Sequence, residues 1–88
     1  MIKPILTRTI YDDGTQQFYR FKNGYGASVV QHSFLSKGDL WEIAPIKFYG
    51  DDIDDWNFTK IQAEGLPNLA KAMSRVNINR VLRTVKSL

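Results

Sequence analysis

Glycine-containing turn signals at Asp13-Gly14, Asn23-Gly24, Lys37-Gly38 and Gly50 divide the first part of the chain into runs of about ten residues each, strand plus turn. The runs between them, Ile5–Tyr11, Gln17–Lys22, Tyr25–Phe34 and Leu40–Tyr49, are rich in β-branched and aromatic residues, the side chains that fit a pleated surface. Turns at that spacing predict an antiparallel meander. Asn23-Gly24 is the strongest of the signals, because an Asn-Gly pair between two such runs favours a two-residue hairpin loop. Pro4 and Pro45 cannot donate to a ladder, so each is expected at an edge or a bulge. A further short strand is expected over Trp56–Gln62.

From Leu66 the apolar period becomes helical, with Leu69, Ala72, Met73 and Val76 on one face. Pro67 suits a first helical turn. Continuing that helix would carry Ile78, Val81, Leu82 and Val85 to the opposite side, so the pattern predicts two helices with Asn77 capping the second. In that second helix Ile78, Val81, Leu82, Val85 and Leu88 share a face, while Arg80, Arg83 and Lys86 point away. The expected fold class is α+β: a four- to five-stranded, mostly antiparallel β-meander followed by two short C-terminal helices packed on one face. It is one domain, with a sheet body over 1–62 and a basic helical segment over 66–88. In Leu40–Tyr49 both alternating faces carry apolar residues. The helices are expected to cover one face and leave the other partly exposed, a surface for a partner or a second copy.

Charge follows the same division. Residues 1–65 hold all nine acids against seven bases, while residues 66–88 hold five bases and no acid. All eleven aromatic residues lie between Tyr11 and Phe58. The chain has no cysteine, which excludes a disulfide framework, a thiolate nucleophile and cysteine-based metal sites. Charge at Lys3 and Arg8 interrupts the apolar N-terminal residues, and no run of about 20 apolar residues occurs. A protein of the cytoplasm, with no membrane association, is the expectation.

Few residues suggest chemistry. His32 is the sole histidine. Alternation puts Ser28 on its face and Ser33 on the other, and no neighbouring acid in the sequence orients the imidazole, so a catalytic triad is not expected. The acidic run Asp51–Asp55 lacks the glycine and terminal glutamate of an EF-hand loop, with Gln62 at the last position, so no metal site or cofactor is expected. It reads instead as a solvated loop, a counter-charge to the basic helices, or a contact patch for a basic partner. Lys22–Val29 shares Gly-Tyr-Gly with the RNP1 signature of RNA-recognition motifs. Ala27 stands where that motif stacks a base, and no helix precedes Leu66, which argues against that family.

The segment Asn23-Gly24-Tyr25-Gly26-Ala27-Ser28-Val29-Val30, followed by Leu40-Trp41-Glu42-Ile43-Ala44, resembles small proteins encoded by bacteriophages and prophages over roughly Phe21–Phe48. The chain departs from their pattern at Asp39, where glycine is usual, and after Asp55, where they carry an acidic C-terminal helix. The resemblance implies a phage or prophage setting in the host cytoplasm and supplies no catalytic residues.

With no nucleophile, base and orienting group in one pattern, a non-catalytic role is expected: an accessory protein that binds a host or phage macromolecule, such as a host enzyme or defence component that it inhibits. Interfaces are enriched in Tyr, Trp and Arg, so the candidate protein contacts are Tyr25, Trp41, Tyr49 and Trp56. The alternative is a nucleic-acid-binding module, in which Lys71, Arg75, Arg80, Arg83 and Lys86 neutralise phosphates or meet an acidic partner. Homodimerisation through an exposed sheet face or edge is compatible with both.

Overall fold

A computed structural model describes residues 2–10, 13–32, 40–59 and 71–88. The protein is a small α+β domain with strands β1 (Leu6–Ile10), β2 (Gly14–Arg20), β3 (Tyr25–Gln31), β4 (Trp41–Phe48), β5 (Trp56–Phe58) and β6 (Lys71–Met73), then helix α1 (Arg75–Lys86). Its strands pair antiparallel in the order β1-β2-β3-β4-β5, with β6 also on β4. The meander is thus as the turn signals indicate. The Lys37-Gly38 turn, Tyr11, Phe34, Gln62, Pro67 and Leu69 lie outside the described residues. No helix among the described residues is long and apolar enough to cross a membrane.

The β2–β3 turn is wider than a two-residue Asn-Gly loop. Gly24 N–H donates to the Phe21 carbonyl (3.1 Å) and Phe21 N–H to the Tyr25 carbonyl (2.8 Å), which puts Lys22-Asn23 at the corner. Gly24 takes the left-handed step at φ 85°, a conformation that costs an L side chain strain.

Pro45 is at neither an edge nor a bulge. Along one side β4 has β3; along the other, β6 lies opposite Trp41–Ile43 and β5 opposite Ile46–Phe48. Pro45 occupies the break between those two short partners, where its missing N–H interrupts no ladder. Its carbonyl still accepts from Thr59 N–H at 3.2 Å.

Among the described residues the expected pair of helices is corrected to one. Ala72 and Met73, assigned by their spacing to a first helix, instead lie in β6, paired with Glu42 and Trp41. Pairing with an open stretch of β4 outweighs a helical pattern too short to nucleate alone. The cap is Ser74 rather than Asn77: Ser74 is extended (φ −65°, ψ 158°) and its hydroxyl accepts from Asn77 N–H at 3.4 Å. Ile78, Val81, Leu82 and Val85 are buried as the pattern requires, but Leu88 is exposed beyond the last turn.

Both sheet faces carry a core. On the helix side Tyr19, Ala27, Val29 and Ile43 pack with Ile78, Val81, Leu82 and Val85. Alternation sends Phe18, Ile46 and Phe48 to the other side, where Leu6, Ile53 and Trp56 close over them. Elements at opposite ends of the strand order meet there. Trp56 stands 5.6 Å from Phe18, ring to ring, and Arg8 reaches Asp54 at 3.6 Å. The face expected to stay partly open is therefore covered by the curl of the sheet itself.

Candidate nucleic-acid interface

The aromatic candidates are mostly engaged within the fold. Trp41 packs against the helix-side core with the Arg75 guanidinium 5.0 Å from its ring centroid. Trp56 lies between Phe18 and Phe58, the latter edge-on at 5.2 Å. Tyr25 is half-buried on the helix-side core, and Lys47 Nζ stands 5.6 Å from its ring. Tyr49 alone of the four points outward, at 62 % exposure, and Phe58 beyond it is 70 % exposed.

The basic candidates separate into two kinds. Arg75 is bound into the fold: its guanidinium donates to Gln17 Oε1 (2.9 Å) and to the Tyr19 hydroxyl (2.6 Å), which in turn donates to Gln17 Oε1 (2.9 Å). Tyr19 is fully buried, so this half-buried cation gives its hydroxyl a partner without any carboxylate. Replacing Arg75 with Met keeps the stem but removes the charged hydrogen bonds, and is expected to lower unfolding free energy by about 2 kcal/mol. Urea denaturation reads the loss; an unchanged midpoint would refute the role. Lys71 is placed by its backbone in β6, opposite Ile43. Arg80, Arg83 and Lys86 are exposed on α1 and make no ion pair with any described carboxylate.

Arg83 and Lys86 do not stand alone. A hollow of about 590 Å³ is lined by Ile2, Lys3, Arg20, Phe21, Lys22, Asn23 and Lys86. A second hollow of about 250 Å³ shares Ile2 and Lys86 with it and adds Asn79 and Arg83. Together they form one groove that gathers Lys3, Arg20, Lys22, Arg83 and Lys86, with no carboxylate among its described lining residues. Lys3, Arg20 and Lys22 come from segments far from α1 in sequence, and sequence reasoning missed them. The guanidinium of Arg20, however, stacks at 4.7 Å on Phe48, a residue of the core on the other sheet face, so its charge is directed away from the groove.

Asn23 fixes the groove's walls to each other. Its side-chain amide donates to the carbonyls of Val85 (2.9 Å) and Leu88 (3.0 Å), with a longer contact to Lys86 (3.4 Å), while its Oδ1 accepts from Tyr25 N–H (3.0 Å). A helix C-terminus carries partial negative charge on unsatisfied carbonyls, which would repel an anion. The Asn23 amide adds a donor to the Val85 carbonyl at that end, and Arg83 and Lys86 supply opposite charge in the last turn.

The acidic loop lies toward the opposite face. Ile53 packs on the Phe18 core, Asp54 pairs with Arg8, and Asp54 N–H bonds to Asp52 Oδ1 at 3.0 Å in a local turn. Its described ion pair is therefore with β1 and not with α1. Among the described residues no three potential ligand side chains gather around a metal position. His32 does have an acid beside it, contrary to the expectation: Asp13 Oδ1 lies 2.9 Å from Nε2. The β1–β2 turn brings Asp13 across to the end of β3, a contact invisible to local sequence. The imidazole is sealed at 1 % exposure, and the Ser28 hydroxyl on the same face accepts from Gln16 Nε2 at 3.0 Å. No family model, curated protein or solved structure matches this chain.

Proposed function

We propose that the protein is a non-catalytic accessory module of phage type whose partner is a nucleic acid, held by its phosphates in the groove between the N-terminal segment, the β2–β3 turn and the end of α1. The observation that carries this reading is the convergence of four cations, Lys3, Lys22, Arg83 and Lys86, on adjoining hollows whose described lining contains no acid. Like charges gathered with no acid among the described lining residues raise the free energy of the unbound protein, and a polyanion that releases its condensed counterions relieves that cost. The acidic loop Asp51–Asp55 lies toward the other face, away from these cations.

The test is fluorescence anisotropy with a labelled twelve-nucleotide oligothymidylate over a salt series. A variant carrying Lys3→Ala, Lys22→Ala, Arg83→Ala and Lys86→Ala is expected to lose binding at moderate salt, and its slope of log affinity against log salt should fall by roughly three. Arg80→Ala, on the helix surface outside the groove, should change affinity far less. Equal affinity of the wild type and the fourfold variant would overturn the reading.

A protein partner is the second reading. Exposure of Tyr49 and Phe58 at the β5 edge favours it, since aromatic side chains anchor interfaces. Such a contact would survive high salt and be lost on Tyr49→Ala with Phe58→Ala.

A further inference from the structure

We infer that the groove takes a single strand rather than a duplex, with a base laid on the apolar lining formed by Phe21 and Ile2 and the adjoining phosphates on Lys3, Lys22, Arg83 and Lys86. This rests on the phosphate-binding reading above and narrows its ligand. The first argument is the lining itself. Phe21 and Ile2 pack against the helix-side core and, being only partly buried, also line the hollow that holds the cations. In a duplex the bases are stacked inside and only the phosphate edge meets the protein, so that apolar surface would stay wet. A single strand offers the π-face of an unstacked base together with its phosphates, and single-strand sites pair a basic groove with an aromatic surface in this way.

The second argument is layout. Duplex phosphates run along a stiff ridge, and proteins that grip them spread cations along an element that follows it. Here Lys3, Lys22 and Lys86 converge on one hollow from three segments, with Arg83 in the adjoining one. Convergence suits a flexible chain that bends into a concavity. The walls are preset, because Asn23 ties the turn to the carbonyls of Val85 and Leu88, so little ordering cost falls on binding.

The experiment compares the oligothymidylate with a blunt duplex of the same length, on wild type, Phe21→Leu and Phe21→Tyr, each first shown by thermal melting to be folded. Leucine keeps an apolar side chain against the core and removes the ring; tyrosine keeps the ring. The single strand is expected to bind wild type at least about tenfold more tightly than the duplex. Phe21→Leu should weaken single-strand binding by roughly five- to a hundredfold without changing duplex binding, while Phe21→Tyr stays close to wild type. Equal affinity for strand and duplex would overturn this inference and leave the phosphate reading standing. So would a single-strand preference untouched by Phe21→Leu. Absence of binding to either oligonucleotide at low salt would overturn both.

Discussion

Gly26→Ala is expected to leave the chain unfolded at physiological temperature. Gly26 sits in β3 between Arg20 of β2 and Ile46 of β4. A Cβ built there falls 1.9 Å from the Tyr19 carbonyl oxygen and 2.8 Å from the Phe48 ring. The first obstacle is backbone inside a paired ladder, so no rotamer relieves it. Accommodation means parting β2 from β3 at the turn end of their ladder, beside Tyr19 and Phe48 of the two cores. Overpacking of this kind costs at least about 3 kcal/mol, a large share of what a domain this small has to spare. A circular-dichroism melt reads it. A cooperative transition within a few degrees of wild type would contradict the close approach.

Leu82→Ala should come next in size, lowering stability by about 3 kcal/mol. Leu82 is 1 % exposed and shares the helix-side cluster with Ile78, Val81, Val85 and the sheet residues Tyr19, Val29 and Ile43. Among the described residues α1 is the one helix on that face, so the space left by a truncated Leu82 is closed only if the helix shifts. For a domain of this length the loss corresponds to a drop in melting temperature of roughly 15 °C. Val76→Ala, on the exposed side of the same helix, is the control. Similar melting of the two variants would show that α1 does not dock as described.

How much of this was legible in the chain depends on the range of the interaction responsible. Turn chemistry is local, and the signals at Asp13-Gly14, Asn23-Gly24, Lys37-Gly38 and Gly50 located β1 to β4 within a few residues. The helical face of Ile78, Val81, Leu82 and Val85 was legible for the same reason. Lys71–Met73 was not. Three residues carry no readable alternation, and Ala72 and Met73 happened to fit a helical spacing; only the vacant edge of Trp41–Ile43 decides the matter. Ser74 was overlooked because no glutamate or glutamine follows it at the third helical position, where Asn77 stands and is itself a good cap residue.

The candidate site divides along the same line. A basic helix could be read from the sequence, because Arg80, Arg83 and Lys86 recur on one face. Its partners Lys3, Arg20 and Lys22 could not, since they reach α1 only through a sheet that folds and a turn whose Asn23 caps a helix more than sixty residues away. The same applies to Trp41 and Trp56, which composition suggests as interface anchors. A sheet that curls over Phe18 and a guanidinium stacked on Trp41 supply internal contacts to both.

The measurement that tests the central claim most directly is an amide chemical-shift titration of the protein with the oligothymidylate. The account predicts that the largest changes cluster at Ile2, Lys3, Phe21, Lys22, Asn23, Arg83 and Lys86, and that they vanish as salt is raised. Changes centred on Tyr49, Phe58 and the Asp51–Asp55 loop, or none at low salt, would contradict it.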